Sequence, residues 1–148
     1  MKKSTEVFND LIRINNDRTK GYEKAARETT DKDADLRTIF LDMAAESRSY
    51  AEELDNFLTA GGTSPDNSTM KGDIYRMWMD VKATFSGKGR KAILSSCEFG
   101  EDAAQKAYEK ALENADLSAE EREIVSSQKS MLKKAHDRIK RMRDTQPA

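Results

Sequence analysis

The stretch Cys97-Glu98-Phe99-Gly100-Glu101 holds the residue types most able to do chemistry in this chain. Within a helical run from about Lys91 to Ala115, Glu98 and Glu101 are three residues apart and share one side. Leu94, Cys97, Glu101, Ala104, Tyr108 and Ala111 recur at spacings of three and four, so Glu101 interrupts an apolar seam. A carboxylate in the inward seam of a helical bundle is a metal ligand, a member of a polar network, or an edge residue snorkelling to water. Cys97 shares that seam and reads as a small core residue, because neither a histidine nor a cationic helix end stands beside it to activate a thiolate.

What must position these groups is a set of long helices. The chain has 148 residues, 36% charged and 36% apolar, with 7 Gly and 2 Pro. A composition so poor in turn residues suits a helical protein, and a single domain over 1–148 is the simplest division. The 26 Lys and Arg nearly cancel the 27 Asp and Glu, which removes the bulk electrostatic case for nucleic acid. A single cysteine excludes an intrachain disulfide and a multi-cysteine zinc site. With no signal peptide and no apolar run long enough to span a bilayer, the expectation is a cytoplasmic protein without stable membrane insertion.

Periodicity divides the chain into four amphipathic helices. The first runs from a Ser4 cap to about Thr29, with one stripe through Val7, Leu11, Ile14 and Arg18 and another through Phe8, Ile12, Asn15 and Thr19. The second, about Lys32 to Ala60, carries Leu36, Phe40, Met43, Ser47, Tyr50, Leu54 and Phe57 as an unbroken seam, ended by Gly61-Gly62. The third runs from about Arg90 to Asn114. The fourth opens on the capping box Ser118-Ala119-Glu120-Glu121 and turns Ile124/Val125, Gln128, Met131/Leu132, Ala135/His136, Ile139 and Met142 inward. Short first and third connections make antiparallel pairs, while the long middle one, about 61–89, is a crossover with its own short helix from Ile74 to Phe85. The fold class is therefore all-α, a ferritin-like four-helix bundle with a long crossover carrying an extra short helix.

Lining up the helix midpoints brings Asn15, Arg18, Ser47, Glu101, Gln128 and Met131 to similar depth, with Tyr22, Tyr50, Tyr108 and His136 nearer the ends. The result is a polar layer inside an apolar bundle. A buried carboxylate without a partner is strongly unfavourable. Glu101 therefore needs either a metal or Arg18, helped by Ser47, Gln128 or a tyrosine.

Asn16-Asp17 followed by Gly21-Tyr22-Glu23, the Gly100-Glu101-Asp102 stretch and Ala135-His136-Asp137-Arg138, set in this helix layout, resemble an uncharacterised bacterial family of ferritin-like four-helix-bundle proteins. The wider superfamily implies a di-iron or di-manganese centre, with one Glu from each of two helices and a Glu-x-x-His pair from each of the other two. Carried onto this chain, the resemblance offers Glu98, Glu101 and His136, with Glu23 and Glu46 as outer ligands. The set is incomplete. Lys133 stands three residues before His136, Ser49 three after Glu46, and Arg18 at the centre would repel cations.

No cofactor is the expected state, with iron or manganese as the alternative. The expected role is a non-enzymatic structural or interaction module, of a stress-associated kind, with a degenerate ferritin-type metal centre. The rival is a metal-binding protein with oxidase or iron-handling activity, as the resemblance implies. Tyr75, Met77 and Trp78 on the crossover helix either cap the bundle or dock a protein partner or a second copy of the chain. Ser86-Gly87-Lys88-Gly89 lacks the phosphate-loop spacing and reads as a linker. The basic end of the last helix, from Lys133 to Arg143, reads as a solvated face that complements the helix dipole.

Overall fold

The computed structural model describes residues 3–61 and 89–146. Among them are four long α-helices, α1 (Ser4–Glu28), α2 (Ala34–Ala60), α3 (Arg90–Leu112) and α4 (Ala119–Asp144), with no strand. The crossover helix, and with it Tyr75, Met77 and Trp78, lies outside the described residues.

Local signals account for most helix ends. Ser118 accepts from the Glu121 amide while the Glu121 carboxylate accepts from the Ser118 amide, so α4 starts on a reciprocal capping box. Ser4 is instead the first helical residue of α1, Lys3 holds the cap position, and no side chain bonds there. A 3₁₀ turn, Asp31–Asp33, leads into α2. Gly61 closes α2 at φ −83°, outside the left-handed region, with its amide bonded to the Phe57 carbonyl. Gly89, before α3, has φ 84° and ψ −167°, a combination in practice reserved for glycine.

Both hairpins use one further device. Arg37, one turn into α2, donates to the Thr29 carbonyl at 2.8 Å and to the Thr29 hydroxyl at 3.1 Å, just past the end of α1. Arg122, at the matching position of α4, donates to the Leu112 and Asn114 carbonyls at 2.7 and 2.9 Å. Each guanidinium satisfies carbonyls orphaned at a helix C-terminus, where a cation is also favoured by the dipole.

Side-chain pairs give the helix directions. Phe8 packs on Phe57 and Thr19 reaches Ala44, so α1 and α2 are antiparallel. Asn15 meets Tyr108 and Arg18 meets Glu101, so α3 is antiparallel to α1 and hence parallel to α2. Gln128 meets Tyr108 whereas His136 meets Asp102, so α4 runs against α3. Accordingly, α2 ends beside the start of α1, but Arg90, opening α3, bonds Asp33 and Asp35 at the other end of the bundle.

The apolar core is in two compartments. Val7, Phe8, Leu11, Leu54, Val125 and Leu132 belong to one, and Leu36, Phe40, Met43, Leu94, Cys97 and Ile139 to the other. At the end of the α2 seam Leu58 is buried and Phe57 only partly so, a drift that follows from 3.6 residues per turn against a 3.5-residue repeat. Met131 faces outward at 39% exposure, and Leu132 takes the inward place.

Candidate functional site

Between the two compartments lies a continuous polar network contributed by all four helices. At its centre the Arg18 Nε donates to Glu101 Oε1 at 2.5 Å and Nη2 donates to Oε2 at 2.9 Å. This is the two-pronged geometry in which a planar guanidinium matches a carboxylate, and both side chains are 1% exposed. The remaining Arg18 amino group, Nη1, donates to Ser47 Oγ at 2.7 Å and to the Met43 carbonyl at 3.1 Å. The guanidinium also faces the Tyr22 ring, 4.9 Å from its centroid. Burial alone would lower the Arg18 pKa, but Glu101 more than offsets it and leaves it raised, so the cation is permanent.

From Arg18 the network runs outward without a gap. Ser47 Oγ donates to Asn15 Oδ1 at 3.1 Å, and Asn15 Nδ2 donates to the Tyr108 hydroxyl at 2.7 Å. The Tyr108 hydroxyl donates to Gln128 Oε1 at 2.6 Å, and Gln128 Nε2 donates to the Tyr50 carbonyl and to Glu53. Ser47 and Tyr108 each accept once and donate once. Burial drives the Tyr108 pKa up, which keeps its hydroxyl a donor. Tyr50 takes part through its backbone; its phenol, desolvated, is pushed up to about 12. Cys97, fully buried in the second compartment, has its thiol pushed well up by burial first and by the Glu101 charge second. It is no nucleophile.

The carboxylates considered as metal ligands go to different places. Glu101 has both oxygens on Arg18. Glu23 pairs with Arg48 at 2.7 Å on the surface between α1 and α2. Glu46, at the surface of α2, makes no bond to the Arg18–Glu101 pair but feels both its charges, and desolvation, the larger effect, raises its carboxyl pKa. Glu98 and His136 do come together, on the flank of the α3–α4 pair, and Asp102 joins them. His136 Nε2 lies 2.6 Å from Asp102 Oδ1 and 3.5 Å from Glu98 Oε1, while Nδ1 lies 3.1 Å from Asp137 Oδ1. Partial burial pulls the imidazole's pKa down, but the bonds to Asp137 and Asp102 prevail and leave it raised. The signal for Asp102 is its position one turn after Glu98; a search for Glu-x-x-His spacing passes over it.

Compared with known families, residues 3–114 match the model described as a domain of unknown function, DUF2383. The chain belongs to this family. The match takes in α1, α2 and α3 entire, and so both members of the Arg18–Glu101 pair; Gln128 and His136 on α4 lie beyond it. No curated protein matches the chain. None of the helices among the described residues is long and apolar enough to cross a membrane.

Proposed function

We propose that this DUF2383 chain is a ferritin-like bundle whose inter-helix metal centre is degenerate, and that it serves as a non-enzymatic structural or interaction module. The observation that carries the reading is the Arg18 guanidinium, buried where the four helices face one another and forked onto Glu101. A dinuclear iron or manganese centre needs several carboxylates converging on two cations. Here a fixed organic cation is forked onto one carboxylate, its other donors go to Ser47 and the Met43 carbonyl, and Ser47 passes on to Asn15. The residues do not fit the metal pair. The antiparallel hairpins joined so that α2 and α3 run parallel support the ferritin-like reading of the topology.

Metal content tests this directly. Full-length protein purified without chelator is incubated with Fe(II) under air, or with Mn(II), desalted and assayed by elemental analysis. Less than two irons or manganese ions per chain, with no Fe(II) oxidation above buffer, is the expected result. Two metals per chain, lost in Glu101→Gln protein that still melts cooperatively, overturns the reading and restores the oxidase or iron-handling alternative. On the module reading, function resides at the surface, where Leu41 and Phe99 are 49% and 48% exposed.

A further inference from the structure

The Glu98–Asp102–His136 cluster is independent of the buried pair and has the composition of a different kind of site. We propose that these three residues bind a single first-row divalent cation, zinc(II) by donor set, on the flank of α3 and α4. One imidazole nitrogen and two carboxylate oxygens are borderline and hard donors of the sort that zinc takes in three-ligand sites, with water in the fourth place. The ligand atoms already lie within 4.8 Å of one another. In a tetrahedral site with bonds of about 2.0–2.1 Å, neighbouring donors are about 3.3 Å apart. The Glu98 Oε1 to His136 Nε2 distance of 3.5 Å meets that as it stands. Asp102 Oδ1, at 2.6 Å, must withdraw by less than an ångström, and its side chain, 49% exposed, has room to do so.

The surroundings divide their work in the way a metal site requires. Asp137 Oδ1 is on the other ring nitrogen, Nδ1, which orients the imidazole and leaves Nε2 for the ion. Arg143 Nη1 bonds Glu98 Oε2 at 2.8 Å, so Glu98 keeps Oε1 directed at the cluster. On binding, the Nε2 proton passes to solvent and the nitrogen lone pair takes the metal. All three ligands stand on long helices packed together through Tyr108–Gln128 and Gln105, which donates to the Lys129 carbonyl.

The test is a zinc(II) titration of the full chain, read by calorimetry and by nitrogen NMR of the imidazole. His136 is the one histidine, so its signals need no assignment by mutation. One zinc per chain is expected, with the Nε2 resonance moving to the metal-bound position while Nδ1 stays protonated. Asp102→Asn and Glu98→Gln should each weaken uptake at least tenfold, and Asp137→Asn by about 10–100-fold as an outer partner of the histidine. Ring nitrogens that stay unmoved under saturating zinc, or a shift on Nδ1 in place of Nε2, overturn the proposal. So does an affinity indifferent to both inner carboxylate substitutions. The wild-type NMR result decides the matter should a variant fail to fold.

Discussion

At the scale of single residues, Arg18 and Glu101 dominate, because each is buried and each is the other's main partner. Removing one leaves the other as an uncompensated charge in the core. Arg18→Met and Glu101→Leu should therefore each destabilise by about 3–5 kcal/mol, whereas the double replacement should recover much of that loss. Urea denaturation of the four proteins closes the cycle. A double variant as unstable as the sum of the singles would mean that Ser47, Asn15 and the Met43 carbonyl, not the ion pair, carry the energetics of the layer. Helical period alone placed both residues inward, since Arg18 and Glu101 fall on stripes that are otherwise apolar. It did not show which partners the guanidinium's other donors find.

Helices and their junctions obey a simpler logic, in which ends are tied by charge. Arg90, at the start of α3, bonds both Asp35 oxygens, at 2.9 and 2.6 Å, and so anchors α3 to the beginning of α2. That hydrogen-bonded pairing holds the Asp35 carboxyl down from 3.8 to about 2. A depressed folded-state pKa means that the contribution is fully present above the unfolded value and is lost as pH falls through the folded one. Between pH 4 and pH 2, acidification should accordingly detach this corner. NMR titration of the Asp35 carboxyl should give a midpoint near 2, returning toward 3.8 in Arg90→Met. A midpoint already near 3.8 in the wild-type chain would show that the pair contributes nothing. Because Asp35 is exposed, the effect on global stability is small.

For the whole molecule, the polar network is the joint between the two hairpins as well as between the two apolar compartments. Asn15 and Arg18 of the first hairpin hold Tyr108 and Glu101 of the second, and Gln128 returns to α2. Such cross-bracing predicts that the bundle opens as one unit. Cys97, buried in the second compartment, is a built-in reporter of that opening. Its labelling by a thiol reagent should proceed only at the rate and free energy of global unfolding measured by circular dichroism. Labelling faster than global unfolding permits would reveal separate opening of α3, and with it weaker coupling between the hairpins.

Sequence by itself determined the helical class, three of the four long-helix seams nearly residue for residue, the α4 capping box and the inward places of Asn15, Arg18, Ser47, Glu101 and Gln128, though not of Met131. Those features are periodic or local: core spacing follows from 3.6 residues per turn, and a cap from residues three apart. On α4 the same period left Met131 and Leu132 as equal choices, since adjacent residues differ by only 100° around a helix; packing against the neighbouring helices chose Leu132. Only the tertiary structure decided which carboxylate meets which cation. Glu98, Glu101 and Asp102 lie within five residues on one helix, yet Glu101 turns to Arg18 in the core while the other two turn to His136 on α4. Arg18 is 83 residues from Glu101 and His136 is 34 from Asp102, and no local rule reaches that far.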